Sequence, residues 1–207
     1  MFTCSYFRYK IKAGDHDLRT IEKSQQEVAL NKIFVHPGYD HTNYINDIAL
    51  VKLKEKVKLS KFVRTVCLPD KEKGDLAKPT KYGSVCGWGA TKALKPGEKS
   101  ARADRYSTVL KYGFYQIQGN QLCKNANTGD ISFNSTVTFC AGDGKGGNDT
   151  CKGDSGGAFV RERKRGNLLQ WIATGLVSWG EGCAQENHYG YYTRVYPFID
   201  WIKKTVD

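Results

Sequence analysis

The sequence lacks long apolar runs, a regular repeat and C-x-x-C cysteine pairs, and each absence excludes a class of protein. No apolar stretch approaches the ~20 residues that a transmembrane helix needs. No repeat at solenoid-like periods is present, which excludes solenoids. Without C-x-x-C, neither a zinc site nor a thioredoxin-like redox motif is indicated. The start, MFTCSYFRYK, has no charged segment followed by an apolar one, so we predict no signal peptide within these residues.

What the chain does have is positive charge. Its 207 residues include 32 Lys and Arg against 21 Asp and Glu, a net charge of +11. Such a balance can favour polyanions such as heparin-like glycans or nucleic acid. The basic residues are scattered, mainly over 52–61, 91–105 and 161–165, and no nucleic-acid-binding module accompanies them. We therefore interpret them as solvated loops and strand edges, and expect neither a nucleic-acid partner nor a membrane.

The seven cysteines are placed as in a disulfide-stabilised protein. Cys151 and Cys183 bracket glycine-rich turns, and Cys123 and Cys140 bracket a polar loop. Such placements are typical of disulfides that stabilise loops in an oxidising compartment, so we expect a secreted, extracellular protein. The odd number leaves at least one thiol unpaired within the chain.

Short β-type runs separated by Gly, Pro, Asn and Asp predict an antiparallel β protein, either a barrel or a sandwich. The predicted strands lie near 28–36, 48–53, 82–90, 107–117, 136–140, 157–163, 169–179 and 190–195. A stretch rich in Lys, Gly and Pro at 70–105 is expected to contain the crossing between two halves.

Two helices are predicted between and after these strands. A short one over 120–126 is expected to begin with Asn120 as its cap. At the C terminus, Phe198, Ile202 and Val206 are four residues apart, which predicts an amphipathic helix that packs onto the sheets.

One segment, CKGDSGGAFV at 151–160, indicates nucleophilic chemistry. A serine hydroxyl is a poor nucleophile and needs a neighbouring base, usually histidine. The surrounding glycines let the amides of Gly153 and Ser155 converge into an oxyanion hole. A G-D-S-G-G motif alone could be only a structural turn. Here the segments 174–183 and 189–195 follow at distances that let three β segments form one pocket.

The motifs NDIALVKL, VCLPD, CGWGAT, FCAGDGKGGNDTCKGDSGG, LVSWGEGC and GYYTRV together resemble trypsin-like serine proteases of the chymotrypsin fold. The resemblance runs from about residue 10 to the C terminus, and within the family is greatest to complement- and clotting-type proteases. It implies an all-β fold: a single peptidase domain of two six-stranded antiparallel β-barrels and a C-terminal α-helix. The first barrel, over about 1–75, would be incomplete, the second would span about 80–195, and the helix about 196–206.

The resemblance also assigns residues to the reaction. Ser155 matches the nucleophile, Gly153 supplies the second oxyanion amide, and Asp47 matches the aspartate that orients the base. Asp149 matches the floor of the specificity pocket, which implies cleavage of protein substrates after Arg or Lys. The remaining substrate-binding residues implied are Ser178, Gly180 and Gly190.

Further assignments concern cysteines and ions. The family pattern implies the disulfides Cys123–Cys140 and Cys151–Cys183. Cys67 matches a position that bonds to an upstream regulatory chain in mosaic proteases, and Cys86 is expected to be a buried free thiol. Tyr189, before Gly190, is similar to family members that bind Na⁺ near the pocket; no other cofactor and no metal site is expected.

Two parts of the family pattern are missing from the sequence. The four histidines are His16, His36, His41 and His188, and none has the TAAHC context that supplies the base. The released IVGG-type N terminus, whose amine pairs with the aspartate matched by Asp154, is also missing. We therefore expect an N-terminally truncated chain in which Asp154 turns away and the oxyanion loop relaxes, as in a zymogen.

Three interpretations follow. The first is a fragment of a secreted serine endopeptidase. The second is a non-catalytic homologue that binds partners, similar to haptoglobin, and the third is a basic glycan-binding or structural β domain. We also predict N-glycosylation at Asn134 in the NST sequon, whereas Asn148 is discounted because it adjoins the pocket.

Overall fold

The computed structural model describes residues 9–91, 105–127 and 129–206. Within these ranges the elements are β1 Lys10–Ala13, β2 Gln26–Val35, β3 Ala49–Leu53, β4 Tyr82–Gly87, β5 Lys111–Gln116, α1 Asn120–Ala126, β6 Thr138–Ala141, β7 Ala158–Arg165, β8 Leu168–Gly180, β9 Gly190–Arg194 and α2 Ile199–Val206. A 3₁₀ turn at Tyr196–Phe198 leads into α2. None of the helices in the described ranges is long and apolar enough to cross a bilayer.

The strands form two antiparallel sheets. The first contains β1, β2 and β3 in that order, and the second has the order β5-β4-β7-β8-β9-β6. The second sheet curls until its outer strands meet, since Ile117, just after β5, bridges to Ala141 at the end of β6. Gly142 donates a further backbone hydrogen bond to Gln116 across the same junction, at 2.9 Å. The all-β class and the six-stranded curled sheet are confirmed.

Aromatic side chains fill the inside of the second sheet. Phe139, Phe159 and Tyr192 are fully buried and contact one another, with ring centroids 4.9 to 5.3 Å apart. A Cβ on Gly83 of β4 would collide with the Phe159 ring, so only glycine leaves room for this packing. This core supports β8 and β9, which carry much of the site described below.

A second cluster attaches the C-terminal helix to the first sheet. Phe198, Ile199 and Ile202 pack with Val195 and with Ile48, which directly precedes β3. The predicted C-terminal helix is therefore confirmed. Its third apolar position is an exception, because Val206 in the last turn remains 67% exposed.

Several local predictions were wrong. The cap of α1 is Gly119 and not Asn120, which is the first helical residue. Cys86 is unpaired but exposed, because it stands opposite Tyr112 on the outer face of the sheet. The strand β1 was not predicted, since its residues KIKA are largely exposed and carry no β-type run of their own.

Candidate active site

The loop before β7 presents Ser155 at a tight turn. Gly153 and Gly156 have φ values of +97° and +79°, which side chains rarely tolerate. The amide of Asp154 donates to the Cys151 carbonyl at 3.0 Å, and that of Gly156 donates to Val177 of β8 at 2.8 Å. Fixed at both ends, the turn leaves Ser155 exposed to solvent.

Two backbone amides of this turn are available to a ligand. Within the described part of the chain, neither Gly153 nor Ser155 donates its N–H to a protein acceptor. A Cβ on Gly153 would lie 2.9 Å from the Tyr106 ring and 3.1 Å from Gly89, so the close approach of these segments requires glycine. The assignment of these two N–H groups to an oxyanion hole stays a prediction.

A cavity of about 450 Å³ opens beside the turn. Its wall includes five of the predicted residues, Asp149, Ser155, Ser178, Gly180 and Gly190. These come from the loop 148–157, from the end of β8 and from the start of β9. The structure therefore brings together residues that are up to 41 positions apart in the sequence.

Asp149 supplies the buried charge of this cavity. Its carboxylate accepts hydrogen bonds from the amides of Thr150 at 2.8 Å and Ala184 at 3.0 Å. These bonds favour the ionised form, but burial outweighs them and raises the pKa of Asp149 from its ordinary 3.8 to about 6. A Cβ on Gly190 would lie 3.2 Å from its Oδ1, so the bare backbone of Gly190 gives access to the carboxylate.

Other cavity residues were not predicted from the sequence. Tyr44, Ile131 and Trp179 line the same space. The Trp179 ring stacks on Tyr191, with centroids 3.7 Å apart and planes 4° apart. Tyr44 has a φ of +51°, a strained value for a tyrosine. That unusual φ could not be read from NYIND, so the sequence offered little signal for Tyr44.

Asp47 reaches the cavity through Ser178. The Ser178 hydroxyl donates to Asp47 Oδ2 at 2.7 Å, and the Thr193 hydroxyl donates to the Asp47 backbone carbonyl at 2.9 Å. These two bonds fix Asp47 at both ends, across sequence separations of 131 and 146 residues. Asp47 thus lies one hydrogen bond away from the cavity that holds Ser155.

None of the four histidines hydrogen-bonds to Ser155 or Asp47. His36 packs edge-on against Phe198 and Trp201, at 5.1 and 5.0 Å, and burial lowers its pKa. The Nδ1 of His188 lies 2.8 Å from the Glu186 carbonyl. His16 and His41 are exposed in turns elsewhere. The described residues place no imidazole at the nucleophile.

Asp154 faces a second cavity, of about 250 Å³, which Asp149 also lines. Its Oδ1 accepts from the Gly89 amide at 2.9 Å and its Oδ2 from the Cys151 amide at 3.0 Å. Two backbone amides therefore satisfy the carboxylate, because Gly87 and Gly89 carry no side chains and let it lie against their backbone. The turning away of Asp154 and the relaxed oxyanion loop stay predictions.

The structure also locates the other predicted residues. It contains the disulfides Cys123–Cys140 and Cys151–Cys183, whereas Cys67 is half-buried and unpaired. The second disulfide ties the Ser155 loop to the segment after β8. Elsewhere, the side-chain oxygen Oδ1 of Asn134 accepts hydrogen bonds from the backbone amide and the hydroxyl of Thr136.

Comparison with known proteins identifies relatives along nearly the whole chain. The family model Trypsin matches residues 3–202. Serine protease 1 of Homo sapiens is 35% identical over 206 residues, covering 98% of this chain and 73% of the relative. Trypsin-3 of Salmo salar is 34% identical over 205 residues, covering 98% and 76%. Vitamin K-dependent protein C of Oryctolagus cuniculus is 33% identical over 199 residues, covering 95% of this chain and 41% of the relative.

Proposed function

The chain belongs to the trypsin family of serine proteases, and from this premise we propose that it carries the substrate site of a secreted endopeptidase that cleaves proteins after Arg or Lys. The single observation that supports this specificity is the position of Asp149. Its carboxylate lies in the same cavity as Ser155, while Gly180 and Gly190 contribute no side chains to the wall. A buried carboxylate in a narrow cavity selects a cationic side chain, above all the planar guanidinium of arginine.

The chemistry at Ser155 is acyl transfer. The Oγ forms a bond to the carbonyl carbon of the substrate, and the negative charge that develops on the carbonyl oxygen is stabilised by the amides of Gly153 and Ser155. As the tetrahedral intermediate collapses, the bond to the leaving amine breaks. Asp47 has the role of orienting the base that takes the Oγ proton and returns it to that amine.

The base itself is not among the four histidines of these residues. Each of them lies elsewhere in the fold, and the Asp47 carboxylate accepts a hydrogen bond from the Ser178 hydroxyl. We therefore propose that the 207 residues bind substrate but do not cleave it without an imidazole from outside them. The same observation favours a second candidate, a non-catalytic homologue that binds partners.

Two further roles follow from the proposed extracellular location. Cys67 has no partner within the described residues, so it is suited to a disulfide with an upstream regulatory chain. Tyr189, whose ring lies over Gly142 and Gly144, stays a candidate for a nearby Na⁺ site.

Calorimetric binding of benzamidine, an aromatic amidinium, tests the specificity directly on the 207-residue chain. We expect binding to the parent chain, none to Asp149→Ser, and unchanged binding to Asp143→Ser, which alters an exposed aspartate of the preceding loop. Benzamide, the neutral analogue, should bind far more weakly. Equal binding of benzamidine by the parent and Asp149→Ser would remove Asp149 from the substrate site.

A further inference from the structure

Most of the net charge of the protein is concentrated in two short segments. Residues 52–64 carry six basic side chains and one acidic one, and residues 161–165 carry four and one. Their net charges of +5 and +3 together make +8 of the total of +11. A single extended ligand could contact both segments only if the fold brings them to one side of the molecule.

The fold does so through Cys67. This residue forms a parallel bridge with Ile172 of β8, in which the Cys67 amide donates to Trp171 at 2.9 Å and the Ala173 amide donates to Cys67 at 2.8 Å. Because the two bridged segments run in the same direction, the residues before Cys67 and those before Ile172 lie on the same side of the bridge. Arg64 is three residues before Cys67.

The hairpin of β7 and β8 extends from this bridge in the same direction. Its register places Lys164 opposite Leu169 and Arg165 opposite Leu168. The end of the hairpin therefore neighbours the Arg64 end of the segment, and the rest of the segment continues from there. We call the eight exposed side chains that they carry the basic surface: Lys52, Lys54, Lys56, Lys58, Lys61, Arg64, Lys164 and Arg165.

The charge of the basic surface is not neutralised within the described ranges. None of its eight members forms an ion pair there, whereas Lys10, Lys71 and Arg194 each pair with a carboxylate. Arg161 and Arg163 are excluded from the surface because they are partly buried and bond to backbone carbonyls and to Gln170. Eight unpaired like charges repel one another, and a polyanion would relieve that repulsion.

We propose that the basic surface binds a linear sulfated glycan. The two disulfides indicate an oxidising compartment, where the abundant polyanions are sulfated glycans and not nucleic acids. The hairpin end of the surface is also remote from the cleavage site. Ten residues of β8 separate Leu168 from Ser178 of the pocket, or about 33 Å of strand. A bound glycan therefore leaves the pocket open, and this function is independent of the proposed proteolysis.

Binding of a heparin dodecasaccharide to the 207-residue chain tests this proposal. The site variant is Lys61→Glu/Arg64→Glu/Lys164→Glu/Arg165→Glu, and its control, Lys23→Glu/Lys124→Glu/Lys203→Glu/Lys204→Glu, makes the same change in net charge at other exposed positions. We expect the dissociation constant at 0.15 M NaCl, measured by surface plasmon resonance, to rise about tenfold or more for the site variant and by less than about threefold for the control. Either pair of substitutions alone, in the segment or in the hairpin, should produce part of the loss.

Further probes separate the glycan from other anions. Desulfated heparin, duplex DNA and phosphatidylserine vesicles should all bind more weakly than heparin. An equal loss in the site and control variants would overturn the basic surface as the site, and tighter binding of DNA or vesicles would overturn the glycan as its ligand. Benzamidine affinity should be the same in the site variant and the parent, so a failure here is distinguishable from a failure of the protease assignment.

Discussion

Lowering the pH should weaken the binding of a cation in the Asp149 pocket. Only the ionised carboxylate attracts an amidinium, and burial raises the pKa of Asp149 to about 6 in the empty pocket. At pH 8 the group is almost fully ionised, whereas at pH 5 about one molecule in ten carries the charge. The dissociation constant of benzamidine should therefore be about tenfold higher at pH 5 than at pH 8, a difference of about 1.4 kcal/mol.

Isothermal titration calorimetry at half-unit steps between pH 5 and pH 8 measures this dependence. Benzamidine stays protonated throughout the range, so the profile reports the protein alone. Binding should also release protons near pH 6, because the bound cation lowers the pKa of the carboxylate. Asp149→Asn should give weak binding with no pH dependence. Asp143→Asn should keep the pH dependence, displaced slightly to lower pH, because the Asp143 charge helps to raise the pKa of Asp149.

The raised pKa of Asp149 also predicts the direction in which the stability of the fold changes with pH. Between pH 3.8 and about 6 the folded state holds the Asp149 proton more tightly than the unfolded chain does. Protonated Asp149 therefore favours folding below this range, and that contribution to stability is lost as the pH rises through it. The stability of Asp149→Asn should therefore change less than that of the parent as the pH rises. A binding profile for the parent that is flat from pH 8 to pH 5 would show that the Asp149 carboxylate does not hold the bound cation.

Three other substitutions test the structure around the site. Gly180→Val should abolish benzamidine binding, since the valine side chain would occupy the cavity, while the free energy of unfolding changes by less than about 1 kcal/mol. Unchanged affinity would place Gly180 outside the pocket wall. Asp75→Asn should lower the free energy of unfolding, measured with urea, by about 3 kcal/mol. The substitution removes the carboxylate whose Oδ2 lies 2.7 Å from a guanidinium nitrogen of the largely buried Arg194. A loss below about 1 kcal/mol would contradict this. Cys151→Ser/Cys183→Ser should cost about 2–4 kcal/mol in the same assay and weaken benzamidine binding, and an unaltered pocket would show that the disulfide does not hold the Ser155 loop.

The sequence predicted the strands well wherever β-type runs were bounded by turn residues. All eight predicted strands overlap observed ones, whereas the exposed β1 has no such run. The family motifs also predicted five of the residues that line the cavity. They could not predict the hydrogen bond between Asp47 and Ser178, because it depends on how segments 131 residues apart pack together.

Two other features depended on contacts that no motif describes. Asp154 was expected to turn away, and no motif could predict that the Gly89 amide, 65 positions earlier, donates a hydrogen bond to its carboxylate. The basic runs at 52–61 and 161–165 were interpreted as scattered charge, and the proximity that we infer for Arg64 and the hairpin end depends on the bridge between Cys67 and Ile172. In both cases the sequence contained the groups but not their proximity.

Reaction of Ser155 with a fluorophosphonate, followed by intact-mass spectrometry, tests whether any base serves this serine. We expect the 207-residue chain to stay unmodified under conditions in which trypsin is fully labelled, because none of the described residues places an imidazole in hydrogen-bond contact with the Ser155 hydroxyl. Stoichiometric labelling of the chain, abolished by Ser155→Ala, would contradict this expectation and would show that a base reaches Ser155 after all.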